Sequence, residues 1–115
     1  MQICAKKNAA ELISFLDNLR AKDPTSPIIA EQSVNQLGYI FLRRGDTSKS
    51  IDVFKWNTES YPTSGNAFDS LGEAYAKAND MMNELASYRK ALQVDPKYPN
   101  AEFAKKFVEE HAPGK

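Results

Sequence analysis

The chain repeats itself at a fixed interval. Leu37-Gly38 returns as Leu71-Gly72, Phe41 as Tyr75, Phe54 as Tyr88 and Pro62 as Pro96, and the numbers in each pair differ by 34. A fixed period of this length marks one supersecondary unit that has been copied and stacked, so it constrains the architecture before any single side chain is interpreted. Stacked units expose long surfaces and few enclosed pockets, which points towards binding and away from catalysis.

A chain of 115 residues and 12.9 kDa is read as one domain, 1–115. Fifteen basic residues balance fifteen acidic ones, which removes any general drive towards nucleic acid or an anionic membrane surface. Cys4 is the only cysteine, so no intramolecular disulfide forms. No stretch approaches the roughly 20 apolar residues that cross a bilayer. The N-terminus lacks the apolar core of a secretion signal. The expectation is a soluble, cytoplasmic chain.

Hydrophobic spacing predicts helices throughout and no strand. An N-terminal helix spans 8–23, capped by Asn8 with Glu11 and ended by Asp23-Pro24; Thr25 to Ala30 reads as a loop. The first copy, 31–64, places Val34, Leu37, Gly38 and Phe41 on one helix face. It turns at Gly45-Asp46, then runs Ile51, Phe54 and Thr58 inward to Tyr61-Pro62. The second copy, 65–98, starts on a Ser64 cap, carries Phe68, Leu71, Gly72 and Tyr75, turns at Asn79-Asp80 and continues through Leu85, Tyr88 and Ala91 to Pro96. A last helix, 99–111, closes the stack. The predicted fold is all-α: an α-α superhelix of two helix hairpins between two flanking helices.

The two copies, Val34-x-x-Leu37-Gly38-x-x-Phe41 with Phe54 and Pro62, and Phe68-x-x-Leu71-Gly72-x-x-Tyr75 with Tyr88, Ala91 and Pro96, resemble the tetratricopeptide repeat. The resemblance implies that Gly38 and Gly72 lie where paired helices cross closely, with aromatic rings filling the gaps. The chain departs from the pattern where a small Ala is expected and Ser50 and Glu84 stand, and where Lys105-Lys106 replaces a third Leu-Gly. The last helix therefore reads as a cap, apolar inward and charged outward. Asn35-Gln36-Leu37-Gly38-Tyr39 and Asp69-Ser70-Leu71-Gly72-Glu73-Ala74-Tyr75 also resemble repeat pairs appended to some bacterial serine hydrolases of the penicillin-recognising and esterase type. The second functional reading comes from there: a non-catalytic structural appendage, or a homodimerisation unit.

The resemblance implies that the first helix of each pair lines a concave groove. Those positions are Gln32, Asn35, Tyr39, Leu42 and Arg43 in the first copy, and Asn66, Asp69, Glu73, Ala76 and Lys77 in the second. Such a polar row with one aromatic suits an extended peptide held by side-chain hydrogen bonds; the alternative is an ordinary hydrated helix face. The family's grip on a terminal carboxylate needs Lys and Asn where Asn35 and Tyr39 stand, so it is not supported. Trp56 falls at an outward position of the second helix and is a candidate interface residue; its alternative is folding over Lys55 or a neighbouring loop, or packing against the preceding pair. Ser87-Tyr88-Arg89-Lys90 spells a Ser-x-x-Lys motif, but Tyr88 is a core position, which places Ser87 and Lys90 on an outer helix surface. His111 stands alone, without soft-ligand partners for a metal. The expectation is a non-enzymatic protein- or peptide-binding scaffold without cofactor or metal.

Overall fold

The computed structural model describes residues 9–111, and every regular element among them is helical. The helices are α1 (Ala10–Lys22), α2 (Glu31–Arg43), α3 (Thr47–Ser60), α4 (Gly65–Lys77), α5 (Met81–Val94) and α6 (Ala101–His111). A short 3-10 turn, Pro27–Ile29, sits inside the segment expected to be loop and buries Ile29. Asn8 and Cys4 lie outside the described residues. α1 begins after Ala9, whose N–H reaches Asp52 Oδ2 at 3.2 Å.

Local chemistry explains the boundaries. Gly45 takes φ +82° after α2, and Asn79, its equivalent in the second copy, takes φ 59° after α4. Both supply the left-handed turn that lets the chain double back. Ser64 caps α4 by accepting the Ala67 N–H at 3.1 Å, and Asp80 caps α5 through the Asn83 N–H at 3.3 Å.

The helices pack as successive hairpins, α2 on α3 and α4 on α5, with α3 bridging to α4 and α5 to α6. The result is a flat slab of 47 × 31 × 19 Å. Close crossing is made by the two glycines. A Cβ on Gly38 would stand 2.3 Å from Phe54 Cε1, and one on Gly72 2.6 Å from Tyr88 Cε1. Each aromatic ring lies flush on the glycine of its own hairpin, and both rings are buried.

The atypical residues find different solutions. Ser50 is fully buried and donates its hydroxyl to the Gly38 carbonyl at 2.9 Å, tying α3 to α2 where the helices touch. Glu84 is covered too, and burial pushes its carboxyl above the ordinary range, partly offset by the His111 imidazole.

Two outward assignments need correction. Trp56 is 3% exposed. It packs in a cluster with Leu16, Ile29, Val34 and Val53, donates Nε1–H to Asp17 Oδ1 at 2.8 Å, and lies under the Arg20 guanidinium at 4.6 Å. The face it occupies is covered by α1, so Trp56 offers no free surface. Ser87 is also buried, while Lys90 is exposed; the two do not share an outer face.

Candidate interaction groove

The first helices of the two copies, α2 and α4, lie side by side, and equivalent residues meet across them. Tyr39 Oη donates to Glu73 Oε1 at 2.5 Å and lies 3.2 Å from Ser70 Oγ. Its ring meets Phe54 edge-on at 5.0 Å. Burial and the Glu73 carboxylate hold the Tyr39 hydroxyl in its neutral form well above the usual phenol range. Leu42 is half-buried against the cluster of Phe54, Leu71, Ala74 and Tyr75. Tyr39 and Leu42 therefore hold α2 on α4, and their free surface is small.

Asp69 is buried. Its Oδ1 accepts the Tyr98 hydroxyl at 2.5 Å, and the Asn100 amide donates to both carboxylate oxygens at 3.1 and 3.2 Å. Burial raises this carboxyl above its ordinary range, while Tyr98 and Asn100 pull it back. The segment leading into α6 thus occupies the groove position of the second copy. Tyr98 also seats on Gly65, where a Cβ would come within 2.8 Å of the ring.

The first copy holds the same four positions with different residues. Subtracting 34 turns Gly65, Asp69, Tyr98 and Asn100 into Glu31, Asn35, Ser64 and Asn66. A large residue faces a small one in both copies, but the order is exchanged: Glu31 accepts the Ser64 hydroxyl, whereas Gly65 receives the Tyr98 ring. With no ring present, a cavity of about 410 Å³ opens beside Glu31, lined by Ala30, Gln32, Asn35 and Asn66. Asn35 Oδ1 is buried with no hydrogen-bond partner, although its counterpart Asp69 has two donors.

The expected groove residues therefore divide. Gln32, Asn35 and Asn66 come together around the cavity. Glu73 is exposed and engaged by Tyr39, Asp69 is sequestered, and Arg43 and Lys77 are exposed in the last turns of their helices. Tyr98 and Asn100 carry no mark in the repeat pattern. The signal available for them is Gly65, a glycine at a helix start that needs no left-handed backbone and makes room for a ring.

Among the described residues, no group of His, Cys, Asp and Glu is placed to hold a metal ion, and no helix is long and apolar enough to cross a membrane. Compared with protein-family models and with curated proteins, the chain matches none.

Proposed function

We propose that the chain is a non-catalytic binding module of the tetratricopeptide type, which holds an extended peptide or protein segment at the first-copy end of its groove. The observation that carries this reading is the contrast between Asp69, which accepts from Tyr98 and Asn100, and Asn35, half-buried beside an open cavity with its covered Oδ1 lacking a partner. An unsatisfied buried acceptor favours any ligand that brings a donor to it. The carboxamides of Gln32, Asn35 and Asn66 each offer one acceptor and two donors, which matches the alternating N–H and C=O of a peptide backbone. Arg43 and Lys77, at the other end of the two helices, add positive charge for an acidic segment.

The test is selection of peptides from a random display library on the immobilised chain, followed by titration of the enriched sequences. Asn35→Ala and Asn66→Ala are expected to weaken binding at least about tenfold while leaving the melting temperature unchanged. Enriched peptides that bind both variants as well as the parent would refute the assignment. Tyr39→Ala is a poor probe, because it loosens α2 from α4.

A further inference from the structure

Given the groove reading, on which this rests, we infer that the seat beside Asn35 takes a phenol: a tyrosine side chain anchors the segment that the groove holds. The chain carries its own example of such a seat when filled. In the second copy Tyr98 lays its ring on Gly65 and donates its hydroxyl to Asp69 Oδ1 at 2.5 Å. The Asn100 amide reaches the same carboxylate at 3.1 and 3.2 Å. Tyr98 and Asp69 are both buried, so that seat is closed.

The first copy keeps the frame and lacks the ring. Asn35 stands for Asp69 and Asn66 for Asn100, but Ser64 stands for Tyr98. The Ser64 hydroxyl is turned to Glu31, and its oxygen caps α4. Asn35 Oδ1, on the residue that matches Asp69, is covered and has no partner, and Asn35 and Asn66 both line the cavity of about 410 Å³. Asn57 Oδ1 is also unpaired, but Asn57 is fully buried on α3, donates to the Glu31 carbonyl at 3.1 Å and is not part of the cavity wall. Glu31 has a side-chain stem where Gly65 has none, so the ring of a partner's tyrosine stands beside that stem and not on the α2 backbone.

The chemistry of the wall selects the occupant. A single covered acceptor asks for a single donor. A phenol brings one O–H on a flat apolar ring, and its oxygen still accepts from the amide of Gln32 or Asn66. An ammonium brings three donors, and the carboxylate in the wall, Glu31, is already engaged by the Ser64 hydroxyl. A carboxylate or phosphate on the partner brings no donor and is repelled by the Asn35 oxygen. An aliphatic side chain fills space but leaves that oxygen unpaired. Among these groups the phenol alone meets both the cavity and the acceptor, as Tyr98 does one repeat further on.

Titration of the isotopically labelled full chain with N-acetyl-tyrosinamide, N-acetyl-phenylalaninamide and N-acetyl-lysinamide tests this, read by NMR on the side-chain amide signals of Gln32, Asn35 and Asn66. The tyrosine amide is expected to shift these signals and to bind at least about fivefold more tightly than the phenylalanine amide. Asn35→Leu should bring that ratio to about one, whereas Asn35→Asp, which presents an acceptor as Asp69 does, should preserve it. Equal affinity for the tyrosine and phenylalanine amides overturns the proposal. So does a preference for the lysine amide, a ratio unchanged in Asn35→Leu, or the absence of any shift at the three residues. Peptides selected from the library that depend on Asn35 but lack tyrosine strike the phenol and leave the groove standing. A library that enriches no peptide strikes the groove reading itself, and the phenol with it.

Discussion

Tyr39 and Glu73 occupy the same position in the two copies of the repeat, and they are hydrogen-bonded to each other at 2.5 Å. A helix row with a constant period brings equivalent side chains into register, so one copy supplies the donor and the other the acceptor. Ser70 completes the site at 3.2 Å. We predict that Tyr39→Phe, which keeps the ring on Phe54 and removes only the hydroxyl, lowers unfolding stability by about 0.5–1.5 kcal/mol. Urea titration checks this; an unchanged midpoint would mean that the pair contributes nothing.

Gly38 is expected to reject even a methyl group. Alanine normally gains up to about 1 kcal/mol over glycine inside a helix. Here its Cβ would fall 2.3–2.7 Å from three atoms of the Phe54 ring, which is fully buried and cannot swing away. Gly38→Ala should therefore destabilise by about 1–3 kcal/mol net. Gly72→Ala should cost less, since its contacts with Tyr88 are 2.6–3.0 Å. Thermal melts of the two variants give the order directly.

These crossings show what is legible in the sequence. Gly38 with Phe54 and Gly72 with Tyr88 repeat at one period, and so do Gly45 and Asn79 as turn residues; a periodic pattern reports contacts made within every copy. Trp56 eludes the pattern because Leu16, Asp17 and Arg20, which cover its outer side, come from α1, and α1 belongs to neither copy. Pro24 and Pro62 differ in number by 38 rather than 34, and that offset conceals how α1 lies across α3. Asp69 reads as a groove residue because its partners, Tyr98 and Asn100, sit between helices, where no hydrophobic period marks them. The cavity beside Asn35 is a difference between the copies, and a repeat pattern reports only what the copies share.

Acid should partly rescue the loss of the Tyr98 hydroxyl. Burial lifts the Asp69 carboxyl above its unfolded value of 3.8, and Tyr98 opposes that lift. A group raised in the fold contributes its stability in full below the unfolded value and loses it as pH rises through the folded one. Tyr98→Phe removes a bond to a buried carboxylate and should lower stability by about 1.5–3 kcal/mol at neutral pH. The deficit should shrink as pH falls, because the raised Asp69 carboxyl takes up its proton in the fold before it would in the unfolded chain. Denaturant titrations of parent and variant at pH 7 and pH 4 decide it; a deficit that grows in acid would contradict the sign.

Glu84 stands where the first copy has the small Ser50, and burial raises its carboxyl too. Its charge is therefore a burden on the fold at neutral pH. Glu84→Gln is expected to raise the melting temperature at pH 7 by about one or two degrees. The gain should vanish below the ordinary carboxylate range, where both states of the parent are protonated. Scanning calorimetry across that interval measures it.

The sharpest test is a double-mutant cycle on Glu31 and Ser64, because these two residues and the Gly65–Tyr98 pair fill one seat in two copies. Ser64→Tyr alone should destabilise, since it loses the α4 cap and drives a ring against Glu31. Adding Glu31→Gly should clear the seat and let the new hydroxyl reach the orphan acceptor of Asn35. The predicted result is a favourable coupling of about 1 kcal/mol or more between the two substitutions. Strictly additive effects would contradict the equivalence of the two copies, and with it the reason for reading the Asn35 cavity as an open binding seat.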